Sequence, residues 1–443
     1  MAIRSEKARQ HAIQIFTAAI RAVQPATLLP QHLSVTNGIL RLGGDFIPRS
    51  SFRNLYVIGA GKASAAMAVA TEQVLGDLIT DGLVTTKYGH SLPCERIRIQ
   101  ESAHPVPDEN GVRAVEQTVA LLRQATPDDL VICLISGGAS ALWCDVPPGL
   151  TLPDVQKTFD LLIKSGAAID EINTVRKHLS AIKGGQLVRH CGGARIFSFL
   201  ISDVTSDDLS VIASGPTVAD ASTFQDAHAI LAAYGLIPQV PTPIRQHLEN
   251  GLNGQIPETP KPGDALFDRA TSTIIGSNRV AVQAAAQQAQ SLGYQTHIVP
   301  EPITGDAVTE AQMLVRQAAQ YQGAPPLCII QGGETTVNVT GTGKGGRNQH
   351  FALAALNELA HLSPFPRPLT LLSGGTDGTD GPTDATGALV DTDTLTLVNQ
   401  KNLSIDTYLS NQDAYHFFNQ TDSLLITGPT QTNVMDLMLA IVT

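Results

Sequence analysis

Apolar residues recur along this chain with two different periods, and the alternation between them predicts an α/β fold. Residues 5–23 carry Ala12, Ile13, Phe16, Ile20 and Val23 at helical spacing, and Pro25 closes the segment. LYVIGAGKASAAMAVA (55–70) reads as a buried strand, a glycine turn and a helix, and DLVICLISGGASAL (129–142) repeats that order. GLVTTK (82–87) and IRIQES (97–102) predict strands, and GVRAVEQTVALLRQA (111–125) a helix with Val112, Val115, Val119 and Leu122 on one stripe. TLPDVQKTFDLLIKSG and INTVRKHLSAIKGGQLVRH predict helices, followed by the strand-led ARIFSFLISDVTSDDL (194–209). A second block opens with TIIGSNRVAVQAAAQQAQSLG (273–293). Within it THIV (296–299) and LCIIQGGETTVNVTG (327–341) predict strands, the latter as a hairpin. PLTLLSGGTDGTDGPTDATGALV (368–390) is a strand with a long Gly/Asp/Thr loop, and the tail reads strand, turn, strand.

The stretch from about 236 to 270 is rich in Pro, Gly and polar residues and marks the expected boundary. The expectation is therefore a Rossmann-like domain over residues 1–240 and a smaller mixed-sheet α/β domain over 241–443. Six apolar runs end in small-residue turns: VIGAGK, LISGGAS, LISDVTS, IIGSN, IIQGGET and LLSGGTD. Ligands of open parallel sheets bind beyond the carboxyl ends of the strands, so these turns predict a cleft between the two domains. Strand–helix turns need glycine in any case, but that need does not explain the Lys, Asp, Glu and Ser set among them.

Composition narrows the partners. A chain of 443 residues is long for one core, and its net charge of −11 with no basic run argues against nucleic acid or a membrane surface. No apolar run reaches membrane-spanning length, and residues 1–16 lack the apolar region of a signal peptide. Five cysteines without CxxC spacing read as reduced thiols of a cytoplasmic protein, either monomer or homodimer.

The chemistry gathers at the turns. TGTGKGGRNQHFALAAL (340–356) runs glycines, including Gly345 and Gly346, into Arg347 and then into a helix. Backbone N–H groups, a helix start and a forked guanidinium can converge there on a phosphate or carboxylate; a flexible turn with solvated Lys344 and Arg347 is the plainer alternative. In GAGKAS (59–64), Gly59 and Gly61 precede Lys62 at a helix start, where a bound anion would offset the unfavourable helix dipole. It is not a P-loop, because Tyr56 and Ala63 occupy the required Gly and Ser/Thr positions; Ser64 breaks a dinucleotide fingerprint. SGGAS (136–140) offers Ser136, Gly137, Gly138 and Ser140 as ligand donors, or Ser140 as a helix cap, and is no GxSxG elbow. Asp203, just past a strand, suits a proton acceptor, a metal contact through water, or a structural Asx-turn. Asp377, Asp380 and Asp384 share one loop that lacks EF-hand spacing, and Glu334 ends another strand. Fixed cations, carboxylates and backbone donors without a redox cysteine suit phosphoryl transfer better than acyl or hydride transfer.

These motifs resemble a class of glycerate 2-kinases with a kinase-like N-terminal domain and a C-terminal MOFRL region, here about 325–440. The resemblance rests on VIGAGKA, HPVPDENG, LISGGASAL, INTVRKHLSAIKGGQL, ISDVTSDDLSVIASGPT, IIGSN, GGETTVNVTGTGKGGRNQ, SGGTDGTDGPTDATGA and TGPTQTNVMDL, and so runs nearly end to end. It implies two α/β domains with the active site between them, and D-glycerate, ATP and a divalent metal (Mg²⁺) yielding 2-phosphoglycerate. It also implies functional roles for Lys62 and Arg347. The expected site is then Lys62, Arg347 and the base Asp203, with Gly59, Gly61, Ser136, Gly137, Gly138, Ser140, Glu334, Gly345, Gly346 and Asp377 around substrate and phosphates. A hydroxypyruvate reductase and a non-catalytic sugar-acid binder are the alternatives. His350, Ser206 and Gln431 depart from the family pattern, which has Glu, Gly and Gly there.

Overall fold

A computed structural model describes residues 2–362 and 367–443 in two compact units, Pro25–Ile275 and Met1–Gln24 with Gly276–Thr443. In the first unit β1 (Leu33–Thr36), β2 (Ile39–Leu42) and β3 (Asp45–Pro48) form a small antiparallel sheet. The main sheet comprises β4 (Leu55–Ala60), β5 (Asp81–Lys87), β6 (Ile97–Ser102), β7 (Leu130–Ile135), β8 (Arg195–Ile201) and β9 (Ala270–Gly276) in the order β6-β5-β4-β7-β8-β9. Its first five strands in that order are parallel. Every residue of β4 and β7 is buried, as expected of central parallel strands covered on both faces. The loops after β4, β7 and β8 consequently leave one edge of the sheet together.

The expected division at residue 240 differs from the one observed. The Pro-rich stretch is not a linker: it holds a helix, Thr242–Leu252, started by Pro241 and Pro243, and then returns as β9 beside β8. Polar contacts fasten it to the first unit. Thr259 Oγ1 donates to Asp220 at 3.0 Å, and the Phe224 N–H donates to Glu258 at 2.9 Å. The N-terminal helix Ala2–Ala22 belongs to the second unit instead, where Phe16 is fully buried against Gly374. The expected stripe is shifted: Ile13 is exposed, and Ile15 and Ala19 take its place in the core.

The second unit is built on β10 (Gln295–Ile298), β11 (Leu327–Gly333), β12 (Leu369–Gly375), β13 (Gly387–Asp391), β14 (Leu424–Leu425) and β15 (Asp436–Val442). Their order is β10-β11-β15-β12-β13-β14, with only the β10–β11 pair parallel. The expected hairpin over 327–341 is absent: β11 ends at Gly333, and Thr336 makes only an isolated bridge to Asp306. Because β15 runs antiparallel between β11 and β12, its first residue, Asp436, lies level with Gly333 and Gly375 at their last. The helix Arg347–His361 packs its apolar residues 351–356 into this unit's core. All five cysteines are free, four of them buried, and no single helix among the described residues is long and apolar enough to cross a membrane.

Candidate functional site

In the first unit the GAGK and SGGAS turns form one structure. Lys62 N–H donates to Gly137 O at 2.9 Å, and Ala63 N–H donates to Ser136 Oγ at 3.0 Å. Ser136 is fully buried and also meets Ser64 Oγ at 3.2 Å, so its hydroxyl is spent on the turn and is not a ligand donor. Gly59 and Gly61 serve the same junction. A Cβ on Gly59 would lie 2.3 Å from Leu134 O, and one on Gly61 2.1 Å from Ser136 Oγ. Both glycines are thus required by the approach of β4 to the end of β7.

Gly138 is different. Its φ of +83° favours glycine, and a Cβ there would meet His104 Cδ2 at 3.0 Å and Lys62 Cγ at 3.3 Å. The turn therefore makes room for Lys62 and an imidazole side by side. Burial pushes the His104 pKa down to about 4, with Lys62 and Lys87 adding to the shift. A neutral histidine thus lies beside two lysines at the carboxyl edge of the sheet. Asp203 follows β8 at that same edge and is half-buried. His104 was missed because HPVPD follows the β6 strand Ile97–Ser102 with prolines rather than glycines and reads as an ordinary turn.

In the second unit Arg347 opens its helix as expected, but its partners are acids of the same unit. Its Nε and Nη2 lie 2.5 and 2.9 Å from Asp436 Oδ2 and Oδ1, and its Nη1 lies 2.6 Å from Glu334 Oε1. Asp436 is fully buried; burial raises its carboxyl and Arg347 opposes that rise, while the two acids hold the guanidinium firmly charged. Asn278 of the IIGSN turn fixes the start of β15 by donating to Val434 O at 2.8 Å and Asp436 O at 2.9 Å. Asp436 escaped notice because it begins an apolar strand and carries no turn signal.

The predicted backbone nest before this helix is largely occupied from within. The N–H groups of Thr340 and Gly341 donate to Gln412 Oε1, that of Thr342 to Asn411 Oδ1, that of Gly343 to Asn411 O and that of Lys344 to Asp413 Oδ1. At the helix start the N–H groups of Asn348 and Gln349 donate to Asp380 at 3.1 and 2.8 Å. The anion that this helix start attracts is thus a carboxylate of the chain itself. Gly346 also serves Asp380, since a Cβ there would lie 2.3 Å from its carboxylate carbon. Burial, with Asp436 nearby, raises the Asp380 pKa to about 6 despite those bonds. Lys344 is not simply solvated: its Nζ stands 4.3 Å from the Tyr415 ring centroid, and Tyr415 donates to Asp384 at 2.7 Å. Asp377 makes an Asx-turn, accepting from Thr379 N–H at 3.0 Å.

Mg²⁺ can be tested against these residues. Asp377 and Asp436 both flank Gly375, where a Cβ would lie 3.4 Å from an oxygen of each, and Asp380 is close enough to Asp436 to raise its own pKa. Among the described residues no three or more His, Cys, Asp or Glu side chains close into a metal cage. A nucleotide-bound Mg²⁺ needs only one or two carboxylates, so the approach of Asp377 and Asp436 at Gly375 fits such an ion.

Comparison with known proteins covers both units. The domain of unknown function DUF4147 matches residues 11–249, and the MOFRL family matches residues 327–436. A glycerate 2-kinase of Pyrococcus horikoshii is 38% identical, over 98% of this chain and 97% of that protein. An Agrobacterium vitis protein, provisionally named a hydroxypyruvate reductase, is 39% identical over 97% of this chain and 93% of its own. The crystal structure of a glycerate kinase from Thermotoga maritima superposes with a TM-score of 0.86 at 35% identity, covering 99% of this chain and all of that one.

Proposed function

This chain belongs to the glycerate 2-kinase family that pairs a DUF4147 domain with a MOFRL region, and from that premise we propose that it transfers a phosphoryl group from ATP to the 2-hydroxyl of D-glycerate. The observation that carries the reading at the level of residues is the pair of charged strand-end sites. One holds Lys62 beside His104 over Gly138, and the other holds Arg347 clamped by Asp436 and Glu334.

Phosphoryl transfer spreads negative charge over the moving group, and catalysis is mostly positioning and electrostatic stabilisation. Lys62 is assigned to meet that charge, with the half-buried Gly138 turn beside it assigned to approach the phosphate oxygens. Arg347 uses three N–H groups on Asp436 and Glu334 and retains two for a phosphoryl oxygen. Asp203 is assigned to accept the proton of the 2-hydroxyl. Mg²⁺ carried by the nucleotide would be held by Asp377 of the Gly/Asp/Thr loop and would neutralise phosphate charge. Lys62 and Arg347 belong to different units, so the reading requires both units to serve one transfer. The reductase alternative finds little support at GAGKAS, where Ser64 is buried and bonded to Leu134 O at 3.3 Å in place of the third glycine.

The test is direct. Purified protein is given D-glycerate with MgATP, and in parallel hydroxypyruvate with NADH or NADPH, and ³¹P NMR reads the position of the phosphate. Lys62→Ala should lower kcat by ~10²-fold or more, and Asp203→Asn should lower kcat and flatten the acidic limb of the pH–rate profile. Nicotinamide oxidation without phosphorylation sinks the kinase reading; a normal profile in the Asn variant moves Asp203 to a structural role.

A further inference from the structure

A cavity of about 530 Å³ opens in the Pro25–Ile275 unit beside the SGGAS turn. Pro107, Phe159 and Ile163 form apolar wall, and Ser140, Gln156 and Arg176 are among its polar groups. Val106 and Ile163 at this cavity are each 63% exposed, which leaves apolar side chains in water around a concave site.

Arg176 is the group that calls for a ligand. It lies on the helix Ile169–His178, with Nη1 donating to Asn173 Oδ1 at 2.8 Å and its guanidinium 4.9 Å from the Phe159 ring centroid. No carboxylate of the described residues pairs with it, and burial pulls its pKa down to about 10. The two buried lysines that follow it in the chain each have an acid, Lys177 meeting Asp220 at 3.2 Å and Lys183 meeting Asp145 at 3.3 Å, whereas half-buried Arg176 has none. A desolvated cation without a counter-charge is costly, and chains keep one chiefly where an anion arrives from outside.

The hydrogen-bond directions beside it are forced. An arginine only donates, so the Asn173 atom facing it is the amide oxygen. Ser214 Oγ lies 3.0 Å from that same oxygen and must donate to it. Ser214 has a single proton, so Ser140 Oγ, 2.9 Å away, donates to Ser214. What Ser140 has left to offer is a lone pair. Ser214 itself is held at φ +59° after Ala213 at +54°, a backbone that residues other than glycine seldom adopt, and this locks the relay. The cavity therefore presents a fixed donor cation and, next to it, an acceptor oxygen.

From this arrangement we infer that Arg176 and Ser140 recognise a small hydroxy-carboxylate, the carboxylate on the guanidinium and a non-reacting hydroxyl donating to Ser140 Oγ. The inference rests on the kinase reading and locates its acceptor substrate. A nucleotide base could fill the apolar part of the cavity but would leave the half-buried charge of Arg176 unmatched; a carboxylate cancels it. Ser140 is two residues from Gly138, over which Lys62 lies, so a hydroxy acid held here has its chain beside the cation assigned to the phosphoryl group.

Calorimetry on Arg176→Met and Ser140→Ala, with D-glycerate and a non-hydrolysable ATP analogue titrated separately, tests this. Arg176→Met should weaken glycerate by ~10²-fold or more, and Ser140→Ala by ~10-fold, with analogue affinity within ~3-fold of the parent in both. Thermal unfolding should show no loss of stability in the Met variant, because it removes an unmatched charge; an arginine that is merely structural would show a loss. Arg176→Lys, which keeps the charge but not the fork, should give an intermediate loss and serves if the Met variant does not fold. Unchanged glycerate affinity overturns the assignment, as does lost analogue affinity with glycerate retained, which would make the cavity a base site. A parent protein that binds glycerate through Arg176 yet never phosphorylates it would fail the kinase reading and leave this one standing.

Discussion

Replacing Arg347 by alanine should unfold part of what it was expected only to disarm. Its guanidinium makes two contacts to Asp436 and one to Glu334, and Asp436 has no exposed surface at all. Removing the arginine leaves that carboxylate buried among apolar strand residues. Breaking a fully buried pair costs about 3–5 kcal/mol, and since the Arg347 side chain is 35% exposed the expected loss is about 3 kcal/mol. The loss has a pH signature. Without Arg347, burial raises the Asp436 carboxyl further above its unfolded value, so the folded state binds the extra proton. Stability of the variant must then fall as pH rises from the unfolded carboxylate range through the raised one.

Urea titrations of the parent, Arg347→Ala, Asp436→Asn and the double variant, at about pH 5 and pH 8, measure these terms. The cycle should return a coupling of about 2 kcal/mol, with the double variant recovering part of the stability that the arginine variant loses. The Ala variant should be further from the parent at pH 8 than at pH 5. A single variant within about 0.5 kcal/mol of the parent at both pH values would refute the pairing as a structural element. The ~10²-fold fall in kcat expected of a clamp residue is meaningful only at a temperature where the variant is folded. Arg347→Lys should recover less than half of either quantity, because one ammonium cannot replace a two-pronged contact.

Three further outcomes are expected. Asp380→Ala should destabilise by about 1–2 kcal/mol, and Asp380→Asn should not rescue it, because both carboxylate oxygens accept from Asn348 and Gln349 and an amide would point donors at donors; chemical denaturation decides. Gln431→Gly should stabilise by about 1 kcal/mol, since Gln431 has φ +63° and a buried Oε1 without a partner among the described residues; calorimetric unfolding would show the gain, and a loss would mean that the side chain packs favourably. His104 should stay neutral until pH approaches 4 while an unfolded histidine protonates near 6.5, so its contribution to stability is lost as pH falls through that window; imidazole NMR titration checks it, and Lys62→Ala should move the value upward.

The strand–turn–helix rhythm was legible because central parallel strands such as LVICLI are apolar throughout and end abruptly in glycine. The division into units was not, because a boundary inferred from Pro and Gly content sees only the local chain. What ties residues 241–275 to the first unit is tertiary: Thr259 and Lys261 reach back to Asp220 and Ser222, contacts that no periodicity announces. The second site shows the same limit at the level of charge. A glycine run, an arginine and a helix start look like an empty anion cradle in sequence, since Asp380 lies 33 positions beyond Arg347 and Asp436 a further 56. Once folded, the chain's own carboxylates fill the cradle. An arginine so held is less a free charge than an oriented one, and orientation is what a transition state rewards: under the proposed transfer, a guanidinium already fixed by Asp436 and Glu334 would need no reorganisation as charge develops. The acids that weaken the simple electrostatic case for Arg347 thereby supply the better one.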